Sequence, residues 1–139
     1  MFKIYSKACE YALRALTQIP KDNFDRKFLA VEMARKAKIP IHSARKTLQL
    51  LVECGYLEAI SGPGGGYRLN KNPENITLLD IIKKIDGKDA FNRCVMGLPQ
   101  CGSINPCPIH GLWAKVKIDM EKEMEKKTLL KLMAMKAHG

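Results

Sequence analysis

A chain of 139 residues has room for one compact domain, or for one small domain carrying an extended helical appendage. Its 46% hydrophobic content excludes a disordered chain, and no apolar run approaches the roughly 18 residues of a membrane span. The formal net charge of +10 favours a polyanionic partner; residues 1–75 carry 13 Lys and Arg against 7 Asp and Glu and residues 76–139 carry 11 against 7, so the excess is concentrated only mildly in the first half.

From about Ile4 to Ile19, Tyr5, Ala8, Ala12, Ala15, Leu16 and Ile19 recur at helical spacing, which predicts an amphipathic helix stopped at Pro20. A polar connection, Lys21 to Lys27, leads to a second helix over Leu29 to Ala37 with Ala30, Met33, Ala34 and Ala37 inward. Lys38-Ile39-Pro40 breaks it, because the residue before proline is driven out of helical angles. A third helix, about Ile41 to Cys54, sets an apolar stripe of Ile41, Ala44, Leu48, Leu51 and Val52 against His42, Arg45, Lys46, Gln49 and Glu53, with Gly55 as the C-cap. Two helices joined by a tight turn, the second bearing cations near its start, is the arrangement of a helix-turn-helix whose second helix enters a major groove. His42, Ser43, Arg45 and Gln49 are then expected to reach base edges, with Lys7 and Lys46 on phosphates.

Two short apolar segments, Tyr56 to Ile60 and Tyr67 to Leu69, flank Ser61-Gly62-Pro63-Gly64-Gly65-Gly66 and predict a hairpin. The glycines do not make a nucleotide loop: the Gly-Lys-Ser/Thr ending of a P-loop is missing, and the segment leads into a strand, not a helix. A wing beside the helix-turn-helix accounts for them better, offering Gly64, Gly65, Gly66, Tyr67 and Arg68 to phosphates or a minor groove.

A fourth helix is expected over Thr77 to Ile85, opened by Thr77-x-x-Asp80 and ended by Asp86-Gly87. Then come Cys94, Cys101 and Cys107, spaced C-x6-C-x5-C and followed by His110, among Gly97, Pro99, Gly102, Pro106 and Pro108. The N-terminus lacks a basic-then-apolar leader, which predicts a cytoplasmic protein; there thiols stay reduced, and five cysteines point to metal or redox chemistry, not a disulfide framework. Gaps of six and five suit an iron-sulfur cluster better than zinc, whose structural sites use closer pairs. His110 is a local fourth ligand, with a helix-start histidine bonding the loop as an equal alternative. Cys9, beside Glu10, could reach a centre held by a partner subunit, although a buried structural role is the more economical reading; Cys54 reads as a small buried hydrophobe. A long helix from Ile109 into the Lys131 region, on the order of 30 Å at ~1.5 Å per residue, carries Ile109, Leu112, Trp113, Val116, Met120 and Met124 as a stripe suited to a second copy of the chain.

Tyr11-Ala12-Leu13-Arg14, the Gly62-Pro63-Gly64-Gly65-Gly66-Tyr67 wing, and Cys94, Cys101, Cys107 and His110 followed by Leu112-Trp113 together resemble the Rrf-type family of winged-helix transcription regulators typified by IscR and NsrR, over nearly the whole chain. The resemblance implies a mainly α fold with a small β-hairpin. Residues 1–75 would form a winged helix-turn-helix DNA-binding domain, and residues 76–139 a helix, a cysteine-rich cluster-binding loop (86–108) and a long C-terminal dimerisation helix. It further implies a homodimer on a partly palindromic double-stranded operator. The IscR-like pattern puts a 2Fe-2S cluster on the three cysteines and His110, the favoured assignment, whereas the NsrR-like pattern puts a 4Fe-4S cluster there with Glu10 of the other subunit. Arg45 stands where the IscR recognition helix carries an acid, so the operator does not carry over. The sequence therefore predicts a regulator that senses redox, nitric oxide or iron-sulfur status. Zinc or a thiol switch in place of the cluster is the alternative, and an iron-sulfur electron carrier a weaker one. Without a nucleophile, base and oxyanion arrangement, an enzyme is not expected.

Overall fold

The computed structural model describes residues 5–88, 90 and 108–135. Among them are six α-helices, α1 (Lys7–Leu16), α2 (Ala30–Ala37), α3 (Ile41–Glu53), α4 (Leu78–Asp86), α5 (His110–Lys126) and α6 (Leu129–Met133), and one antiparallel hairpin of β1 (Leu57–Ile60) and β2 (Gly66–Leu69).

Ser6 starts α1: its Oγ accepts the Cys9 N–H at 3.1 Å, replacing one of the bonds that a helix start lacks. Cys9, Ala12, Ala15 and Leu16, spaced at three and four residues, bury the inner face. The helix stops at Leu16, short of the expected Ile19, although Ile19 still reaches the core.

The break between α2 and α3 is built differently from the proline argument. Lys38 adopts a left-handed conformation at φ 57°, the Ile39 N–H returns to the Ala34 carbonyl at 3.0 Å, and Arg14 from α1 donates to the carbonyls of Ala37 at 2.7 Å and Lys38 at 2.9 Å. A cation there satisfies orphan carbonyls and complements the negative end of the helix. Pro40 then serves as the N-cap residue of α3. At its other end α3 closes as expected on Gly55 (φ 87°), with Tyr56 N–H to the Leu51 carbonyl at 3.0 Å.

The hairpin pairs Leu57 with Leu69, Glu58 with Arg68, Ala59 with Tyr67 and Ile60 with Gly66, so the two leucines face the core and the charged pair faces out. Phe28 exchanges backbone hydrogen bonds with Tyr67 at 2.8 Å in both directions, tying the approach to α2 onto the hairpin. Buried Tyr56 donates its hydroxyl to Asp80 Oδ2 at 2.5 Å and so pins the foot of the hairpin to α4.

The long C-terminal helix ends earlier than expected. Lys127 turns extended (φ −92°, ψ 131°), and Thr128 caps a new helix by accepting the Lys131 N–H on its Oγ1 at 3.3 Å. The Leu78 N–H bonds the Lys127 carbonyl at 2.9 Å and the Leu129 N–H bonds the Ile76 carbonyl at 2.7 Å. Leu129 and Met133 thereby enter the same core as Leu16, Leu48, Leu51 and Ile81. Burying two such side chains, at roughly 1.5–3 kcal/mol each, outweighs the helical bonds lost at the break. A smaller cluster of Cys9, Leu79, Ile82 and Ala90 joins α1 to α4.

Candidate functional site

The polar face of α3 is open. His42, Arg45, Lys46 and Gln49 are exposed and Ser43 is half-buried, while Ala44, Thr47, Leu48 and Leu51 pack inward. Thr47 joins the core because its hydroxyl donates to the Ser43 carbonyl at 2.8 Å, which satisfies it inside the helix. No side chain caps α3. Its first-turn amides thus have no capping side chain as acceptor, a condition that anion-binding helix starts share.

Ile41 departs from the expected stripe, being 40% exposed. At about 100° per residue it lies at the edge of the stripe, between buried Leu48 and exposed Arg45, in the first turn of the helix.

On the wing, two glycines answer to the hairpin itself. A Cβ on Gly65 would lie 2.1 Å from the Ile60 carbonyl oxygen, and one on Gly66 would lie 2.6 Å from that of Phe28. Gly64 holds φ at 75°, and its carbonyl accepts the Lys27 ammonium, a latch that no pattern in the sequence announced. Tyr67 is half-buried with its ring stacked on Phe28, centroids 6.3 Å apart. Exposed Arg68 donates its Nε to the Glu58 carboxylate across the hairpin. Lys7 stands elsewhere, at the start of α1, 3.2 Å from Glu10 and over the Tyr11 ring at 4.9 Å.

Cys94, Cys101 and Cys107 lie outside the described residues. Within the described residues, His, Cys, Asp and Glu side chains do not gather in a group of three able to hold a metal. The described ligand candidates are nevertheless well separated. Glu10, half-buried, lines a groove of about 370 Å³ with Tyr5, Leu13, Ile82, Met124 and Leu132. His110 opens α5, whereas Met124 lies near its other end, roughly 20 Å away along the axis at ~1.5 Å per residue. Glu10 and His110 of one chain therefore flank opposite ends of α5.

Cys9 is fully buried, and its thiol is pushed up to about 12, by burial first and then by the Asp86 carboxylate. That environment suits a packing thiol and not a reactive one. Cys54 is half-buried, and burial raises its thiol as well. Asp86 also accepts the Ser6 N–H at 2.8 Å and the Ser6 hydroxyl, fastening the start of α1 to the end of α4. No helix among the described residues is long and apolar enough to cross a membrane.

Comparison with known proteins places this geometry. A family model described as Rrf2, an iron-dependent transcriptional regulator, matches residues 5–135. An HTH-type transcriptional regulator of Aquifex aeolicus is 32% identical over 120 residues, covering 85% of this chain and 83% of the relative. IscR of Yersinia pseudotuberculosis is 24% identical over 123 residues, covering 88% and 74%. Among solved structures, CymR, the global cysteine regulator of B. subtilis, superposes with a TM-score of 0.74 at 22% identity, covering 99% of this chain and all of that one, 100%. The fold is accordingly the winged helix of such regulators, mainly α with one small hairpin.

Proposed function

Since the chain belongs to the Rrf2 family of transcriptional regulators, we propose that it is a cytoplasmic, homodimeric regulator that reads a double-stranded operator and senses redox, nitric oxide or iron-sulfur status through a cluster on Cys94, Cys101 and Cys107. The observation that carries the DNA half is the outward face of α3, with His42, Arg45, Lys46 and Gln49 exposed beside an uncapped helix start. His42, Ser43, Arg45 and Gln49 meet base edges, and Lys46 with the wing from Gly64 to Arg68 meets the sugar-phosphate backbone. Lys7 serves phosphates only if it leaves Glu10. Residues 1–75 form the DNA-reading part, and residues 76–139 carry the cysteine segment and the dimer helix.

For the sensing half, soft thiolates together with an imidazole or a carboxylate are a donor set that fits an iron-sulfur cluster, 2Fe-2S by preference and 4Fe-4S otherwise. When bound, the cluster supplies a redox-active, ligand-exchanging centre. His110 serves as the ligand from the same chain, at the first turn of α5, where ligation bears directly on that helix. Glu10, at the opposite end of α5 in its own chain, serves only across the dimer. Protein purified without oxygen is expected to be coloured and to contain iron and sulfide, and His110→Ala should shift its absorption bands while Glu10→Ala leaves them in place. The reverse result assigns Glu10. A colourless preparation containing zinc, or one with neither metal, sinks the cluster reading and leaves the second one, a zinc or thiol switch on the same cysteines.

A further inference from the structure

The exposed residues of α3 are polar except at one position. His42, Arg45, Lys46 and Gln49 lie on its outward side, and Ile41 lies at the edge of that side in the first turn, 40% exposed and one turn before Arg45. A scattered exposed aliphatic needs no explanation in general. Leu29 and Val31 are more exposed still, but they lie at the start of α2, off this face. Ile41 differs because it borders, on the side of Arg45, side chains that are hydrogen-bond donors and acceptors suited to base edges, and because the opening turn is the part of a recognition helix that approaches those edges most closely. An isoleucine cannot exchange hydrogen bonds with a base. The apolar feature that a major groove displays is the 5-methyl group of thymine, and aliphatic contact with that methyl is an established form of base discrimination.

We infer that Ile41 is a specificity-determining residue that packs on a thymine 5-methyl group in each half-site, next to the base contacted by Arg45. This rests on the reading of α3 as the recognition helix. It adds a requirement for thymine that the polar residues do not impose by themselves, and burying one methyl group corresponds to about a fourfold preference.

The test uses the full chain prepared without oxygen. Duplexes are selected from a random pool, and each thymine of the selected site is then replaced in turn by deoxyuridine, which keeps every hydrogen-bonding group and lacks only the methyl. Wild type is expected to lose about fourfold in affinity at one thymine per half-site. Ile41→Ala should bind the thymine and uracil duplexes equally at that step, while matching wild type at every other substitution. Uracil substitution that weakens both proteins alike, or neither, overturns the assignment of Ile41 while the selected site and its loss in Arg45→Ala still stand for the recognition helix. Failure to select any sequence overturns both. Ile41→Ala should keep the wild-type unfolding midpoint; a lowered midpoint with uniformly weaker binding to all duplexes shows a packing role and also overturns the inference.

Discussion

Helices α3 and α5 are both amphipathic in sequence, yet one chain satisfies them to very different degrees. In α3 the inward residues Ala44, Thr47, Leu48 and Leu51 are all buried, and what remains outside is polar apart from Ile41. In α5, four residues longer at 17 against 13, Trp113 alone is buried, Val116, Met120 and Met124 are half-buried, and Leu112 stands 66% exposed. The first helix has a finished inner face and an outer face equipped for a charged ligand. The second has an inner face that the described residues cover only in part. A helix in water draws most of its stability from packing an apolar face, so the contrast assigns the two helices different partners: a polyanion for α3 and, as proposed above, a second copy for α5.

The contrast can be broken at several points. Leu48→Ala opens a cavity beneath α3 and is expected to cost about 2–5 kcal/mol in denaturant unfolding; a smaller loss would mean that α3 is less firmly seated than its burial indicates. Arg45→Ala leaves the core intact and should cost about 1–3 kcal/mol of binding to the selected operator, with little change on unrelated duplex, measured by titration at fixed salt. Leu112→Glu should leave secondary structure unchanged yet shift the monomer–dimer equilibrium at least tenfold, about 1.4 kcal/mol, toward monomer in sedimentation. A dimer of unaltered affinity would break the comparison on the α5 side. Glu58→Gln, the mildest, releases Arg68 from its cross-strand partner and should raise DNA affinity severalfold, steepening the salt dependence by about one ion.

The helices and the wing were legible because their signals are local. The buried positions of α3 at 44, 48 and 51, the Thr77 cap whose Oγ1 accepts the Asp80 N–H at 3.1 Å, and the left-handed Gly55 each follow from residues a few positions apart. The break at Lys127 was not legible, since Thr128 is as compatible with a helix interior as with a cap and the deciding bonds, to Leu78 and Ile76, span about fifty positions of sequence. Ile41 is exposed despite its hydrophobic identity, because it lies at the first position of α3 on the edge of the apolar stripe. The need for glycine at 65 and 66 was not legible either, since it comes from the carbonyls of Ile60 and Phe28, which only the folded hairpin brings close. For the candidate metal centre, the cysteine spacing is plain in the sequence. The choice between Glu10 and His110 is not, because it turns on where a second chain lies.

One arrangement noted in passing ties the two ends of the problem together. Ser6, at the head of α1, grips Asp86, the last residue of α4 before Gly87 and the cysteine segment; two turns later Arg14 grips the carbonyls of Ala37 and Lys38, in the turn from which α3 departs. Those two grips are eight residues apart, roughly 12 Å of helix at ~1.5 Å per residue. Helix α1 is therefore a strut with hydrogen-bonded joints at both ends, and it cannot roll or slide without straining the end of α4 and the turn before α3 together.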